Sequence, residues 1–446
     1  MPSFRPHTSR RFDAVVIGAG PAGLCFALSL ERAGVSVAIV ERQPLDRIAH
    51  PAFDGREIAL TDASVDRLRR LGVWSRIPSD EVSPLRVARV LNGASSQGLD
   101  LRHPVADTHA LARLVSNHVI RRALYERIEQ AHGIELLCGE RVTAVRPDSR
   151  DVEVELGGGT RVRASLVVAA DSRFSETRTA MGISARIRDF GRTMTLFRVE
   201  CDRPHHGVAY EWFDYGQTIA LLPLNGGRYS VVLTLSTDEM RRMLALDVRE
   251  FDRDVERRLA PRGRMRRISE RFSYPVVTVY PSRFTAARYA LIGDAAVGMH
   301  PVTAHGFNFG LLGATTLARI VAAAAARGQD IGAADVLDAY ERRHRLATLP
   351  LYLATNGIAE LYTRDAPPMR FAREAILRLS DRAAPLKTAL TAFLTRGAAE
   401  TAAVLRRARG DESKTPRLTP RSDSPHHDRA RIASRPETAE ATTRDG

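Results

Sequence analysis

The amino-acid sequence predicts an α/β protein: a Rossmann-like nucleotide-binding domain with an inserted β-sheet domain and C-terminal helices. Glycine-rich turns after strand patterns, near residues 18 and 293, predict the first part; a run of short strand patterns between residues 194 and 235 predicts the second.

The first turn stands in a complete strand–loop–helix–strand unit. Residues 12–17 (FDAVVI) are an apolar, β-rich run, Leu24 to Gly34 follows a helical pattern, and Val35 to Val40 is a second apolar run ending at Glu41. Between strand and helix lies Gly18-Ala19-Gly20-Pro21-Ala22-Gly23. In such a turn Gly18 permits the tight bend, Gly20 lets the backbone approach a pyrophosphate, and Gly23 lets the helix pack close to the strand. The free N–H groups of the helix N-terminus then face the pyrophosphate, and Glu41 is placed to accept from a ribose hydroxyl. The unit predicts a dinucleotide and leaves FAD or NAD open.

Further along, residues 62–71 and 117–131 read as helices, the latter with Leu114, Ile120, Leu124 and Ile128 at near-helical spacing. Residues 151–170 alternate and then become apolar: VEVEL, a GGG turn, then SLVVAA. The strand-rich stretch follows (TLFRVE, GVAYEWF, TIALLPL, YSVVLTL), with Asn225-Gly226 as a hairpin signal. A charged helix is expected over 238–259, a strand over 289–292, and an alanine-rich helix from Leu311. From about Arg407 the chain is rich in Pro, Ser, Thr, Arg and Asp and reads as a disordered basic tail.

Bulk properties narrow the function classes. The 446 residues are 44% apolar and 26% charged, as in an ordinary globular protein. No run of eighteen apolar residues suggests a membrane span, and no apolar h-region stands before Asp13, so no signal peptide is expected. Cys25, Cys138 and Cys201 lie far apart, so neither disulfides nor a structural zinc is expected, and a reducing cytoplasm is the default location. The net charge of +14 fits an anionic membrane surface or simply an arginine-rich composition. Nucleic acid is not an expected partner, because no basic helix is interleaved with aromatic residues.

The second turn decides the cofactor. The strand Tyr289–Ile292 ends in Gly293-Asp294-Ala295-Ala296, followed by His300-Pro301, Gly306, Phe307, Asn308 and Gly310. An Asp at such a strand end can bind the ribityl chain, and the following turn brings backbone N–H groups to a flavin ring at a helix N-terminus. FAD is therefore the expected cofactor, and no metal is expected.

With these motifs in this order, and a strand ending in Ala169-Ala170-Asp171 between them, residues 12–350 resemble the aromatic flavoprotein hydroxylases of the p-hydroxybenzoate hydroxylase fold. Within that family, Asp54-Gly55-Arg56 and the runs at 168–178, 211–225 and 292–310 are most similar to the ubiquinone-biosynthesis branch, and there to 5-demethoxyubiquinol hydroxylases. The resemblance implies that Glu41, with Arg42 beside it, binds the adenosine ribose. It implies Arg56 and Arg121 along the FAD, Asp171 at the FAD and NAD(P)H region, and Asp294 on the ribityl–pyrophosphate part. It places His300 and Pro301 at the reacting ring, while His305, a departure from the family pattern, is expected within reach of the flavin pyrimidine edge or the substrate ring. NADPH or NADH and O2 are the implied co-substrates, and a prenylated quinol the implied substrate. The chain departs from the family pattern at Ser172, where Gly is usual, at Val297, where His is usual, and at Ala304-His305-Gly306, where Gly-Gln-Gly is usual.

The expected domains are residues 10–80, 107–180 and 286–330 for FAD, 81–106 and 181–285 for the substrate, a helical region at 331–406 and the tail at 407–446. In the substrate sheet Trp212, Phe213 and Tyr215, with His205 and His206, are the candidate substrate contacts. A flavin halogenase is disfavoured because no WxWxIP-like segment occurs; a prenyl-chain reductase, a hydroxylase of another aromatic or polyketide substrate, and a non-catalytic flavin-bearing scaffold of a quinone-biosynthesis complex remain as alternatives. Residues 370–407 carry an apolar stripe (Phe371, Leu377, Leu390, Phe393 among others) flanked by Arg370, Arg373, Arg378 and Lys387. Such a stripe suits a helix lying on a membrane; packing onto the enzyme's own core is the alternative, and a homo-oligomer or a partner hydroxylase could also cover it.

Overall fold

The computed structural model describes residues 10–93, 98–103, 110–214 and 216–363. The apolar stripe at 370–407, the tail and Tyr215 lie outside the described residues.

Strand Arg10–Ile17 is central because Ala14-Val15-Val16-Ile17 is apolar on both faces and buried on both. It pairs in parallel with Val37–Glu41 on one side and with Arg161–Ala169 on the other. Ile134–Cys138 and Tyr289–Leu291 extend the parallel sheet outward. Val142–Pro147 and Val152–Leu156 add an antiparallel flap. Helices Pro21–Leu30, Asn117–Ile128 and Gly306–Ala325 share one hydrophobic core with this sheet. The last is long and apolar enough to cross a membrane, but most of its apolar window is buried inside the protein, as in a core helix. It begins at Gly306, not near Leu311 as expected, so the glycine-rich segment is its first turn.

A second sheet runs in the order Met265–Arg267, Ala185–Cys201, Arg228–Ser236, Gln217–Leu224, Val208–Asp214, Val87–Asn92, Leu99–Arg102, with Phe272–Pro281 also paired to the long strand. One face is buried under helices Thr237–Leu244 and Val248–Leu259, in a core containing Phe197, Trp212, Val231 and Phe251. The sequence suggested one helix over 238–259. Two form, because Asp247 caps the second, its carboxylate accepting from the Glu250 N–H at 2.8 Å. The expected hairpin is present, with positive φ at Gly226 and Gly227, not at Asn225. The Asn225 amide instead donates to the carbonyls of Asp80 and Val82, pinning the hairpin to the rest of the chain. A small sheet of Glu57–Leu60, Ala112–Ser116 and Ser83–Leu85 is the third layer.

Candidate active site

A cleft of about 850 Å³ runs from the first glycine turn to the uncovered face of the large sheet. At its nucleotide end the three glycines differ in what they serve. Gly18 has φ +106°, and a β-carbon there would lie 2.6 Å from the Ala170 carbonyl oxygen; one at Gly23 would lie 2.1 Å from that of Gly18. Both are demanded by the protein's own packing. A β-carbon at Gly20 would meet nothing within 4 Å, so the room there is open to a ligand. Pro21 and Ala22 line the same end.

Two helix N-termini open onto the cleft, that of Pro21–Leu30 behind Gly20 and that of Gly306–Ala325, and neither has a side-chain cap. Their free N–H groups favour negative charge. Gly293, at φ +62°, lets the second turn approach the first helix closely, since a β-carbon there would stand 2.9 Å from the Ala22 Cβ.

The charged side chains are arranged around these ends. Glu41 accepts from the N–H groups of Ala19 (2.8 Å) and Gln43 (2.9 Å), with Arg42 beside it in the cleft wall. Arg56 donates through Nε to Asp54 at 3.0 Å. Burial works to raise the Asp54 carboxyl, but Arg56 and the Asn117 amide overcome it and hold it below its ordinary range. Arg121 lines the cleft, burial pulls its guanidinium down, and it has no hydrogen-bond partner among the described residues. Asp171 accepts from the Thr177 hydroxyl at 2.9 Å, while its Oδ1 is buried with no partner. Asp294 accepts from Arg173 at 2.8 Å. A guanidinium without a hydrogen-bond partner among the described residues, two uncapped helix ends, an orphaned carboxylate oxygen and open room at Gly20 and Gly306 together fit a pyrophosphate-bearing, polyhydroxylated cofactor such as FAD.

The two departures from the Gly-rich family pattern fall where backbone geometry asks for glycine. Ser172 has φ +86° and Ala304 φ +52°. Val297, in place of the usual His, is buried.

At the sheet end, Arg192, Met194, Leu196, Glu211, Phe213 and Ala220 are among the wall residues, and His300, Pro301 and Phe307 line the cleft as well. His300 accepts at Nδ1 from the Val302 N–H and packs edge-on to Phe190, 4.8 Å between centroids. Burial, with help from Arg188 and Arg192, lowers its pKa to about 4, so its imidazole is neutral.

Several expected site residues stand elsewhere. Trp212 points to the opposite face of its strand; its indole N–H donates to the Gly93 carbonyl at 2.8 Å within the core. The His305 ring is buried beside Phe309 and does not line the cleft, because His305 is the residue preceding the helix and its side chain turns into the protein. His205 is occupied by the backbone, accepting from the Gly207 N–H and donating to the Leu224 carbonyl. Neither it nor His206 lines the cleft. Asn308 is a tether: its amide donates to Ala59 (2.9 Å) and its oxygen accepts from the Thr61 N–H (3.2 Å), fixing the second helix N-terminus to the small sheet. Among the described residues no cluster of His, Cys, Asp or Glu is placed to hold a metal ion. Sequence reasoning missed Arg173 and Glu211. Arg173 stands two positions after Asp171 in a run already singled out; Glu211 gave a signal only through strand alternation, on the face opposite Trp212.

Residues 11–349 match the FAD binding domain family. The chain belongs to this family. Over 388 residues it is 43% identical to the ubiquinone hydroxylase UbiM of Neisseria meningitidis, covering 86% of this chain and 84% of that one. It is 34% identical to the ubiquinone hydroxylase UbiL of Rhodospirillum rubrum, covering 84% and 87%. Among solved structures, the p-nitrophenol 4-monooxygenase PnpA of Pseudomonas putida superposes with a TM-score of 0.72 at 20% identity, covering 86% of this chain and 99% of that one, which establishes the shared fold. The protein is an FAD-dependent monooxygenase with NAD(P)H as its reductant.

Proposed function

We propose that this enzyme hydroxylates the aromatic ring of a prenylated ubiquinone precursor, such as a demethoxyubiquinol. The observation that carries the reading is the 43% identity, along most of both chains, to a ubiquinone hydroxylase. Bound FAD supplies the activation of O2 and the transfer of one oxygen atom to the ring. The chain's own residues hold and orient. The helix N-terminus behind Gly20, with Arg121, takes the pyrophosphate; Glu41 and Arg42 take the adenosine ribose; Arg56, Asp171 and Asp294 take the middle of the cofactor; and the Gly306–Phe307 turn meets the flavin. Residues 10–80, 107–180 and 286–330 form the FAD half, and 81–106 with 181–285 the substrate half, whose cleft wall of Met194, Leu196 and Phe213 suits an apolar ring. His300 and Pro301 close the ring site as a neutral surface.

A prenylated quinol partitions into lipid, so the enzyme meets it at the cytoplasmic membrane face or in a complex with other biosynthetic proteins. The basic, apolar-striped segment at 370–407 supplies the docking element. Flotation of the FAD-loaded chain with anionic liposomes, compared with a chain ending before Met369, tests this: recovery of both forms in the soluble fraction at low salt contradicts it.

The activity is tested by mass spectrometry of quinones in cells lacking and then regaining the gene. The expected result is accumulation of a precursor one oxygen atom short, reversed by the wild-type gene and not by Asp294→Ala. An unchanged quinone profile contradicts the proposal.

A further inference from the structure

We propose that Glu211 is the base that takes the proton from the substrate's ring hydroxyl. This rests on the hydroxylase reading above. Strand Val208–Asp214 sends Tyr210 and Trp212 toward the helix-covered core and Glu211 and Phe213 into the cleft. Glu211 stands opposite Ala220, which stands opposite Val232, which stands opposite Leu196. The next rung is Phe213, Thr218, Thr234 and Met194. The carboxyl is thus set among methyl, isopropyl and phenyl groups. Half-buried in the cleft wall, it has no hydrogen-bond partner among the described residues, which leaves the carboxyl open to a ligand in the cleft. The other charged or titratable groups of this part of the cleft are Arg192 on the same sheet and His300, Arg56, Glu57, Arg173 and Asp294 on the elements across it. Arg56, Glu57, Arg173 and Asp294 are engaged with partners of their own: Arg56 with Asp54, Arg173 with Asp294, and Glu57 with Arg198.

Burial alone pushes the Glu211 carboxyl up to about 8. That brings it toward a phenol, at about 10, whereas an ordinary glutamate lies near 4.3. Proton transfer between the two is correspondingly less uphill. In the step, the phenol O–H bond breaks, its electron pair stays on oxygen, and the proton binds a Glu211 oxygen. The resulting electron-rich ring accepts one atom of O2, the displaced ring hydrogen leaves as a proton as aromaticity returns, and Glu211 gives its own proton back to the ring oxygen. NAD(P)H and one proton reduce the second oxygen atom to water, so the sum is ring–H, O2, NAD(P)H and H⁺ to ring–OH, water and NAD(P)⁺.

The test compares FAD-loaded wild type, Glu211→Gln and Glu211→Asp. A short-chain prenylated methoxyphenol serves as probe, with its binding to the oxidised enzyme followed through the flavin absorbance, and with NAD(P)H oxidation, peroxide and ring product measured across pH. The wild-type rate should rise as pH passes about 8, as the carboxylate form grows. Glu211→Gln should bind the phenol and be reduced by NAD(P)H like wild type, but its hydroxylation should fall on the order of 100-fold, lose that rise and give peroxide instead of product. Glu211→Asp should keep the rise at a lower rate. A Gln variant with the wild-type rate and pH profile overturns the assignment. If the Gln variant fails to bind FAD, the Asp variant decides, and absence of the rise in it overturns the assignment. A wild type that hydroxylates no phenol removes the underlying reading and the assignment with it, an outcome separable from the others by the wild-type control alone.

Discussion

Arg173 donates to the Asp294 carboxylate at 2.8 Å and, through its second nitrogen, to the Val277 carbonyl at 3.0 Å. The two residues come from the ends of adjacent parallel strands, and the contact fixes the orientation of an acid that lines the cleft. Asp294→Ala should weaken FAD binding by about 1.5–3 kcal/mol, the scale of a hydrogen bond to a charged group. Arg173→Ala, which frees the partly exposed carboxylate without removing it, should cost about 1 kcal/mol or less. Fluorescence titration of the apoprotein with FAD measures both.

The glycines of the first turn should separate folding from binding. Gly20→Val should fold and melt like the wild-type apoprotein but fail to retain FAD, because the side chain enters open cleft space. Gly23→Ala drives a methyl group against the Gly18 carbonyl and should cost about 1–3 kcal/mol or more. Thermal melts of the apoproteins, with flavin content measured in parallel, distinguish the two.

Ser172 and Ala304 occupy left-handed backbone positions. Ser172→Gly and Ala304→Gly should each stabilise the protein by about 0.5–1 kcal/mol, the relief of a side chain at positive φ less the added freedom of the unfolded chain. Denaturant midpoints should rise in both variants; a fall in either would show that the side chain makes a compensating contact.

The nucleotide end was legible in the sequence and the substrate end was not. The Gly18–Gly23 turn, Glu41 and the Gly293-Asp294 strand end are local: each one's place in the cleft follows from a few consecutive residues between a strand and a helix. Which side of a strand faces a ligand is a tertiary property. Trp212 and Glu211 are neighbours in sequence, and only the helices laid over one face decide that the indole joins the core while the carboxyl enters the cleft. His305 misled for a related reason: its motif position was right, but the start of helix Gly306–Ala325 turns its ring inward.

His344 is fully buried, stacked on Tyr340 at 5.3 Å, and burial lowers its pKa to about 3. A folded-state pKa below the unfolded value of about 6.5 means the unfolded chain binds the proton better. The stability contributed by neutral His344 is therefore complete above about pH 6.5 and is lost as pH falls toward 3, by about 3 kcal/mol at about pH 4.5. His344→Phe should flatten the melting temperature over this range relative to wild type.

The most direct test of the central claim, an FAD-dependent hydroxylase of prenylated quinol rings, is isotope incorporation. Purified FAD-loaded protein is given NAD(P)H, a short-chain demethoxyquinol and ¹⁸O-labelled dioxygen, and the ring product is weighed by mass spectrometry. The account predicts substrate-dependent NAD(P)H oxidation with one labelled oxygen atom in the ring of each product molecule. NAD(P)H oxidation that is indifferent to the quinol, or a product whose new oxygen is unlabelled, would contradict it.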